Sequence, residues 1–276
     1  MDMSLPVSLA VLGAALLHAG WNALVKSSAD KDLDTVAVAA ASGVIGAAAA
    51  PWLPLPAAAS WPWLGASTAV HILYFAFLAA AYRWGELSYS YPLMRGGGPI
   101  VVALVGALAL GETLPWLETA GVVTICAGII AFASGSHDRR ATLFALANAV
   151  VIGAYTLIDA QGARASGAPV SYTLWFFAAN AAVITSIACA RRGSAVPQYL
   201  ARHWRRAGAG GLCAISAYAI VLWAMTRAPV ALVAVLRETS VIFAALIGAF
   251  FLKEKFTRQR LVATGAVLAG LVALRL

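Results

Sequence analysis

Ten apolar runs, each long enough to cross a lipid bilayer as a helix, dominate the sequence. A bilayer core about 30 Å thick needs roughly 20 apolar residues in a helix, which satisfies its own backbone hydrogen bonds there. The runs lie at 5–25, 33–53, 62–83, 87–110, 115–134, 141–161, 170–190, 207–227, 229–252 and 258–275. The sequence therefore predicts an all-α integral membrane protein with ten transmembrane helices.

The composition excludes a soluble protein and a nucleic-acid-binding protein. The 276 residues are 62% apolar and only 11% charged, which leaves too few polar groups to cover a soluble globule. The net charge of +8 comes from basic residues in short segments between apolar runs, without interleaved aromatic residues. We expect the lipid bilayer and a small molecule as partners, and no nucleic acid.

The distribution of basic residues predicts an orientation in the membrane. Of the 19 Lys and Arg residues, 14 lie in the loops after helices 1, 3, 5, 7 and 9, and three lie on the other side. Cytoplasmic loops carry the excess of Lys and Arg in membrane proteins. The odd-numbered loops are therefore predicted to be cytoplasmic, with both termini outside.

A long internal repeat divides the chain into two halves. The segment Arg95–Glu112 recurs 142 residues later as Arg237–Glu254, with the arginine and the glutamate at the same spacing. We interpret the repeat as two copies of a five-helix unit, at 1–137 and 138–276. Because five is odd, the copies are inverted in the membrane, which is the usual architecture of secondary transporters.

Several motifs are similar to those of a known transporter group. The first run contains HAGWNALVK at 18–26, the fourth and ninth runs end in Gly111-Glu112 and Lys253-Glu254, and the fifth and tenth runs carry Gly121, Gly128, Gly265 and Gly270. In these motifs the chain resembles the drug/metabolite transporter superfamily in its ten-helix form of two EamA units. Within it, the chain is most similar to bacterial exporters of aromatic amino acids. The resemblance implies a multi-pass exporter of the bacterial inner (plasma) membrane.

The fourth helix carries Gly96-Gly97-Gly98-Pro99 near its middle, where the second half has Glu238-Thr239-Ser240-Val241. Glycines and a proline weaken a helix, so a bend could let the substrate reach bare backbone around Gly97 and Pro99. Alternatively, the glycines only allow close helix packing.

Charged residues deep in the fourth and ninth helices need partners, because an isolated charge at such depth is costly. We predict that Glu238 pairs with Arg95, or with His71, across the two halves. Adjacent residues on a helix do not face each other, so Glu238 is not assigned to Arg237. Such a pair could bind or gate the substrate, or only fasten the helices.

The remaining candidate substrate-binding residues are aromatic or polar. His71 and Tyr74 begin an aromatic stripe of the third helix that could line a cavity or only pack between helices. Further candidates are Tyr91, Tyr155, Trp175 and Asn22, with Asn22 and Tyr155 at equivalent places in the two halves. Asp159 is expected near the outer boundary of the membrane, and Glu112 and Glu254 are expected to cap or solvate helix ends.

No catalytic constellation, nucleotide-binding loop or Cys/His metal-ligand set is present in the sequence. We therefore expect no enzyme activity, no cofactor and no metal, and a monomer. The favoured function is export of aromatic and other hydrophobic amino acids by alternating access around a midplane cavity. The alternatives are export of drugs or other small metabolites and, more remotely, a membrane enzyme or a scaffold.

Overall fold

The computed structural model of the protein describes residues 3–131, 133, 138–250 and 258–274, and the regular structure in these ranges is helical. The helices are α1 (Leu5–Lys26), α2 (Lys31–Ala49), α3 (Trp61–Trp84), α4 (Leu87–Leu110), α5 (Trp116–Ile130), α6 (Arg139–Ser166), α7 (Pro169–Arg192), α8 (Ala195–Met225), α9 (Val230–Arg237), α10 (Ser240–Phe250) and α11 (Arg258–Ala273). Two 3-10 turns, Ala50–Trp52 and Ala58–Ser60, connect α2 to α3.

These helices supply ten membrane spans within the described ranges. Eight spans are long and apolar enough to cross a bilayer, one of which, Val230–Ile247, combines α9 with the start of α10. Two shorter apolar helices, Trp116–Ile130 and Leu261–Ala273, add the others. The prediction of an all-α, ten-span membrane protein is confirmed. The predicted ends of the fifth, ninth and tenth runs, and Glu254 with them, lie outside the described residues.

Local sequence explains where several helices begin and end. The side chain of Asp30 accepts a hydrogen bond from the Leu33 amide (3.0 Å) at the start of α2, and an aspartate there also suits the positive end of the helix dipole. Gly111 ends α4 with a φ of 66°, a left-handed conformation that glycine adopts without strain.

Two helices extend beyond their apolar runs. α6 continues to Ser166, five residues past the predicted end at 161, and therefore carries Asp159 two turns inside the helix. α8 begins at Ala195 rather than at 207 and has a non-helical backbone at His203 (φ −117°, ψ 21°). Hydropathy marks the apolar part of a helix and not its hydrogen-bonded ends, so both predicted boundaries were wrong.

The two halves interlock through equivalent helix pairs. α1 of the first half packs against α8, and α6 of the second half packs against α3; likewise α1 packs against α9 and α10, and α6 against α4. One equivalent pair differs, because α2 packs extensively along α8 whereas α3 and α7 touch much less. The central site therefore lies between α1, α4, α6, α8 and α9, at the contact of the halves.

α5 and α11 cross at glycines, which lets their backbones approach closely. A Cβ atom on Gly121 would lie 3.0 Å from the Gly270 carbonyl oxygen, and one on Gly270 would lie 2.9 Å from the Gly121 carbonyl oxygen. Small residues at helix crossings are typical of membrane proteins.

Candidate functional site

The ninth span is broken near its middle. The sequence predicts one helix over 229–252, but α9 ends at Arg237 and α10 begins at Ser240. At the break, the Thr239 amide and hydroxyl both donate to the Leu236 carbonyl, at 3.1 and 2.7 Å, in a turn tighter than an α-helix. The break places Glu238 where its side chain can reach two arginines.

Arg95, Glu238 and Arg237 form a buried charged triad. Arg95 Nε lies 2.7 Å from Glu238 Oε2, and Arg237 Nη2 lies 3.2 Å from Glu238 Oε1, with side-chain exposures of 8% for Arg95, 0% for Glu238 and 6% for Arg237. The predicted pairing of Arg95 with Glu238 is confirmed. The exclusion of Arg237 was wrong, because the rule for neighbours on an α-helix does not hold at the break.

The triad carries one excess positive charge and an unused donor. Two guanidinium groups face one carboxylate, so one formal positive charge is left at the centre of the bundle. Among the described residues, buried Arg95 Nη2 has no hydrogen-bond partner, and Arg95 Nε approaches Glu238 without the alignment of a hydrogen bond. Buried donors without acceptors are costly, which makes Arg95 suited to an anionic group from outside the chain.

A central cavity of about 60 Å³ adjoins the triad. Its walls come from α1, α4, α6, α8 and α9, so both halves contribute to it. The lining residues are Ala14, His18, Arg95, Tyr155, Ala214, Ala217, Tyr218, Val221 and Arg237. Two predicted site residues, Arg95 and Tyr155, therefore line this cavity.

An aromatic wall continues from the cavity towards α3 and α7. The His71 ring lies 4.2 Å from that of Tyr155 and 5.1 Å from that of Phe176, while Tyr74 meets Tyr155 edge-on at 5.8 Å. Phe176 in turn stacks on Tyr218 at 5.8 Å. His71 and Tyr74 thus support the cavity-lining Tyr155 from behind and are not among the lining residues.

Asp159 belongs to the core and not to the membrane boundary, contrary to expectation. It is fully buried, and it accepts hydrogen bonds from the hydroxyls of Tyr218 at 2.5 Å and Tyr172 at 3.4 Å. The physical reason is the length of α6, which continues two turns beyond it. Tyr218 connects this carboxyl group to the central cavity.

A second cavity, also of about 60 Å³, lies beside the first and shares His18 with it. Its lining includes the predicted residues Asn22 and Tyr91, together with Ser240 and Val241 at the start of α10. Asn22 and Tyr155, predicted at equivalent places, therefore line neighbouring cavities on either side of His18.

Gly97, Pro99 and Trp175 are not among the residues that line the two cavities. A Cβ atom on Gly97 would lie 2.8 Å from the Ala149 side chain of α6, and Pro99 is buried within a helix that continues to Leu110. Trp175 packs on Trp61, with ring centroids 5.6 Å apart. The glycine run thus lies in helix packing contacts, the alternative that the sequence left open.

Comparison with known proteins assigns the chain to a family. Residues 139–276, half of the chain, match the EamA-like transporter family. The chain belongs to the EamA-like transporter family. The crystal structure of another protein is similar to this EamA-like chain, with a TM-score of 0.73, over 97% of this chain and 94% of the other. The identity is 20%, so this similarity bears on the fold alone.

In this EamA-like transporter the family-marker Glu112 fastens the two halves at one face of the bundle. Its carboxylate pairs with Arg164 Nη1 at 2.6 Å and accepts a hydrogen bond from the Val230 amide at 2.8 Å. Arg164 also donates to the carbonyl of Met225 at 2.8 Å. The expected capping role of Glu112 is confirmed, and the helix that it caps is α9 of the other half.

Sequence reasoning missed three residues of the EamA-like site: His18, Tyr218 and Asp159. A signal was available for His18, which follows Ala14 by one helical turn on the buried stripe of α1. Tyr218 follows Ala214 in the same way on α8, again beside small residues. For Asp159 the boundary error at the end of α6 concealed the depth.

Proposed function

We propose that the protein is a secondary transporter that exports amino acids, aromatic and other hydrophobic ones, across the bacterial inner membrane by alternating access. The observation that carries the proposal is the triad with its excess charge beside an aromatic wall. A substrate carboxylate would bind the free Nη2 donor of Arg95 beside the positive charge of Arg237, and the substrate ring would pack against Tyr155.

The size of the cavity supports a mechanism in which the halves move. Ligand pockets usually enclose roughly 300–1,000 Å³, whereas each cavity here encloses about 60 Å³. An amino acid therefore enters only if the helices around the cavity separate. The lesser contact of α3 with α7, compared with that of α2 with α8, supports separation along the α3–α7 side.

The amino-acid assignment also draws on the resemblance of the sequence to the aromatic amino-acid exporter YddG. Export of drugs or other small metabolites is the alternative. A cationic drug would need an unpaired acid among the residues that line the cavity. The acid of the triad is shared by two arginines, and Asp159 is not a lining residue but lies behind Tyr218. The inverted halves at 1–137 and 138–276, and the cytoplasmic position of the odd-numbered loops, are parts of the same proposal.

Transport into liposomes that contain only this protein tests the proposal. Labelled phenylalanine and tryptophan should exchange across the membrane, and phenethylamine, which lacks the carboxylate, should not compete. Loss of one charged hydrogen bond, about 1.5–3 kcal/mol, should make Arg95→Gln roughly 10- to 100-fold weaker in uptake at low substrate.

The matched control is Arg164→Gln, which removes an arginine paired with a glutamate outside the cavities. It should retain the preference for a carboxylate. Transport of a cationic drug or another metabolite, with no movement of any amino acid, would contradict the amino-acid assignment and favour the alternative.

A further inference from the structure

Asp159 and Asp34 are both fully buried acids, and they differ in their partners. Asp34 pairs with Arg206 Nε at 3.2 Å. The ion pairs of the described residues include none with Asp159, whose carboxylate accepts hydrogen bonds from hydroxyl groups, those of Tyr218, Tyr172 and Ser67. An ionised carboxylate without a cation in a dry site costs several kcal/mol, so such a group takes up a proton or a cationic ligand.

We infer that Asp159 is the residue through which this protein couples transport to protons. The inference rests on the proposed transport function and adds the identity of the coupling group. Ionisable residues inside a membrane bundle commonly serve in proton relays. Asp159 has the two properties that such a role requires, since it is enclosed by protein and it is connected to the cavity by one hydrogen bond.

The connection runs through Tyr218. Its hydroxyl donates to Asp159 at 2.5 Å, and the same side chain lines the central cavity together with both arginines. In the proposed transport cycle the substrate carboxylate binds Arg95 and its ammonium group, repelled by the arginines, turns towards Tyr218. An ionised Asp159 attracts that ammonium group, and a protonated Asp159 does not. The substrate therefore favours the ionised carboxyl group, and binding of a proton neutralises that group. Such competition is what a transporter requires to exchange a substrate for a proton.

Several ionisable groups surround Asp159 on the helices packed against α6. The orientation of the His71 ring is fixed by a hydrogen bond that its Nδ1 donates to the Ser67 carbonyl at 2.9 Å. The groups are His71 on α3, Arg95 on α4, Tyr172 on α7, Tyr218 on α8 and Arg237 on α9, with Tyr155 on α6 itself. Glu238 lies between the two arginines, and the tyrosines are neutral hydrogen-bond donors, so Asp159 is the acid of this group that has no arginine in contact with it among the described residues.

The test separates exchange from net transport in liposomes that contain the purified protein. Exchange of labelled for unlabelled phenylalanine at equal pH needs no net movement of protons across the membrane. Accumulation of phenylalanine driven by a pH gradient does need a net movement of protons. Asp159→Asn, which cannot attract the ammonium group, should exchange phenylalanine with a weaker apparent affinity and, at saturating phenylalanine, should still exchange it but lose the gradient-driven accumulation.

Asp34→Asn is the matched control, because it removes the other fully buried aspartate, which already has a cationic partner. It should keep both activities. Gradient-driven accumulation by Asp159→Asn, or accumulation driven by a sodium gradient and not by a pH gradient, would overturn the inference while leaving amino-acid transport intact.

A second measurement needs no substrate. Infrared difference spectra of the membrane-embedded protein between acidic and alkaline pH should show the carbonyl stretches of all carboxyl groups that take up a proton, exposed ones included. The band of a buried group, recognised by its slow response to hydrogen–deuterium exchange, should be absent in Asp159→Asn and present in Asp34→Asn. If Asp159→Asn keeps the band, the assignment to Asp159 is overturned, whatever the protein transports. If the band behaves as expected and no amino acid moves, the proposed substrate fails and the proton site stands.

Discussion

Replacing Glu238 by glutamine should destabilise the protein more than any other single change within the triad. The change leaves Arg95 and Arg237 buried without a counter-charge. At an effective dielectric constant of about 20, Coulomb's law gives about 6 kcal/mol for the contact at 2.7 Å and about 5 kcal/mol for that at 3.2 Å. Relief of carboxylate desolvation offsets part of this attraction, and breaking a buried pair typically costs about 3–5 kcal/mol in total.

The two arginines provide an internal comparison. Arg95→Gln leaves one arginine and one glutamate, a balanced pair, so its cost should be smaller than that of Glu238→Gln, which breaks both contacts. Glu112→Gln removes a glutamate that is 17% exposed and whose partner, Arg164, is 30% exposed, and solvent screens such a pair. It should also cost less than Glu238→Gln.

The measurement is the thermal unfolding midpoint of each purified variant in one detergent, followed by tryptophan fluorescence. About 2 °C per kcal/mol for a chain of this size converts the expected loss for Glu238→Gln to about 6–10 °C. An equal or larger loss for Arg95→Gln would refute the charge balance described for the triad. A Glu112→Gln variant whose unfolding midpoint falls as far as that of Glu238→Gln would also refute it.

Two further predictions concern packing and orientation. A Cβ atom on Gly98 would lie 2.7 Å from the Ile152 side chain, whereas one on Gly65 would meet nothing within 4 Å. Overpacking at Gly98→Ala should therefore lower the free energy of unfolding by about 1–3 kcal/mol, and with it the unfolding midpoint. Gly65→Ala should leave the midpoint unchanged, and equal midpoints for the two variants would contradict the close approach of α4 and α6. For orientation, a membrane-impermeant thiol reagent should label Leu55→Cys in intact cells and Arg205→Cys only after permeabilisation, with exposed Cys189 first changed to serine. The reverse labelling pattern would contradict cytoplasmic odd-numbered loops.

The sequence predicted the span count and the pairing of Arg95 with Glu238, because both follow from strong physical costs. Apolar runs of about 20 residues have few alternatives to a membrane helix, and a charge at such depth needs an opposite charge nearby. The second partner, Arg237, could not be predicted in the same way. Its contact depends on a break in the ninth span between Arg237 and Ser240. Polar residues in a span indicate that they need partners, but they do not show that the helix breaks there or which neighbours then meet.

The cavity was harder to predict than the charges. Hydropathy locates the apolar part of α6 but not its end, so Asp159 was placed too close to the surface. Aromatic spacing identified His71 and Tyr74, yet the side chain that reaches the cavity is their neighbour Tyr155 on another helix. The angle at which the helices cross decides which residue of an aromatic cluster lines the cavity. A pattern along one helix does not contain that information.

The charge ratio of the triad is one that two identical units could not hold in a symmetric arrangement. Arg95 and Arg237 occupy equivalent positions in the sequence repeat, as do Gly96 and Glu238. A symmetric dimer of identical five-helix units would bring two arginines together with either two glutamates or none. In this chain the equivalent positions carry different residues, a glycine at 96 and a glutamate at 238, so two arginines meet one acid. The difference between these two positions is therefore what leaves a single positive charge at the centre.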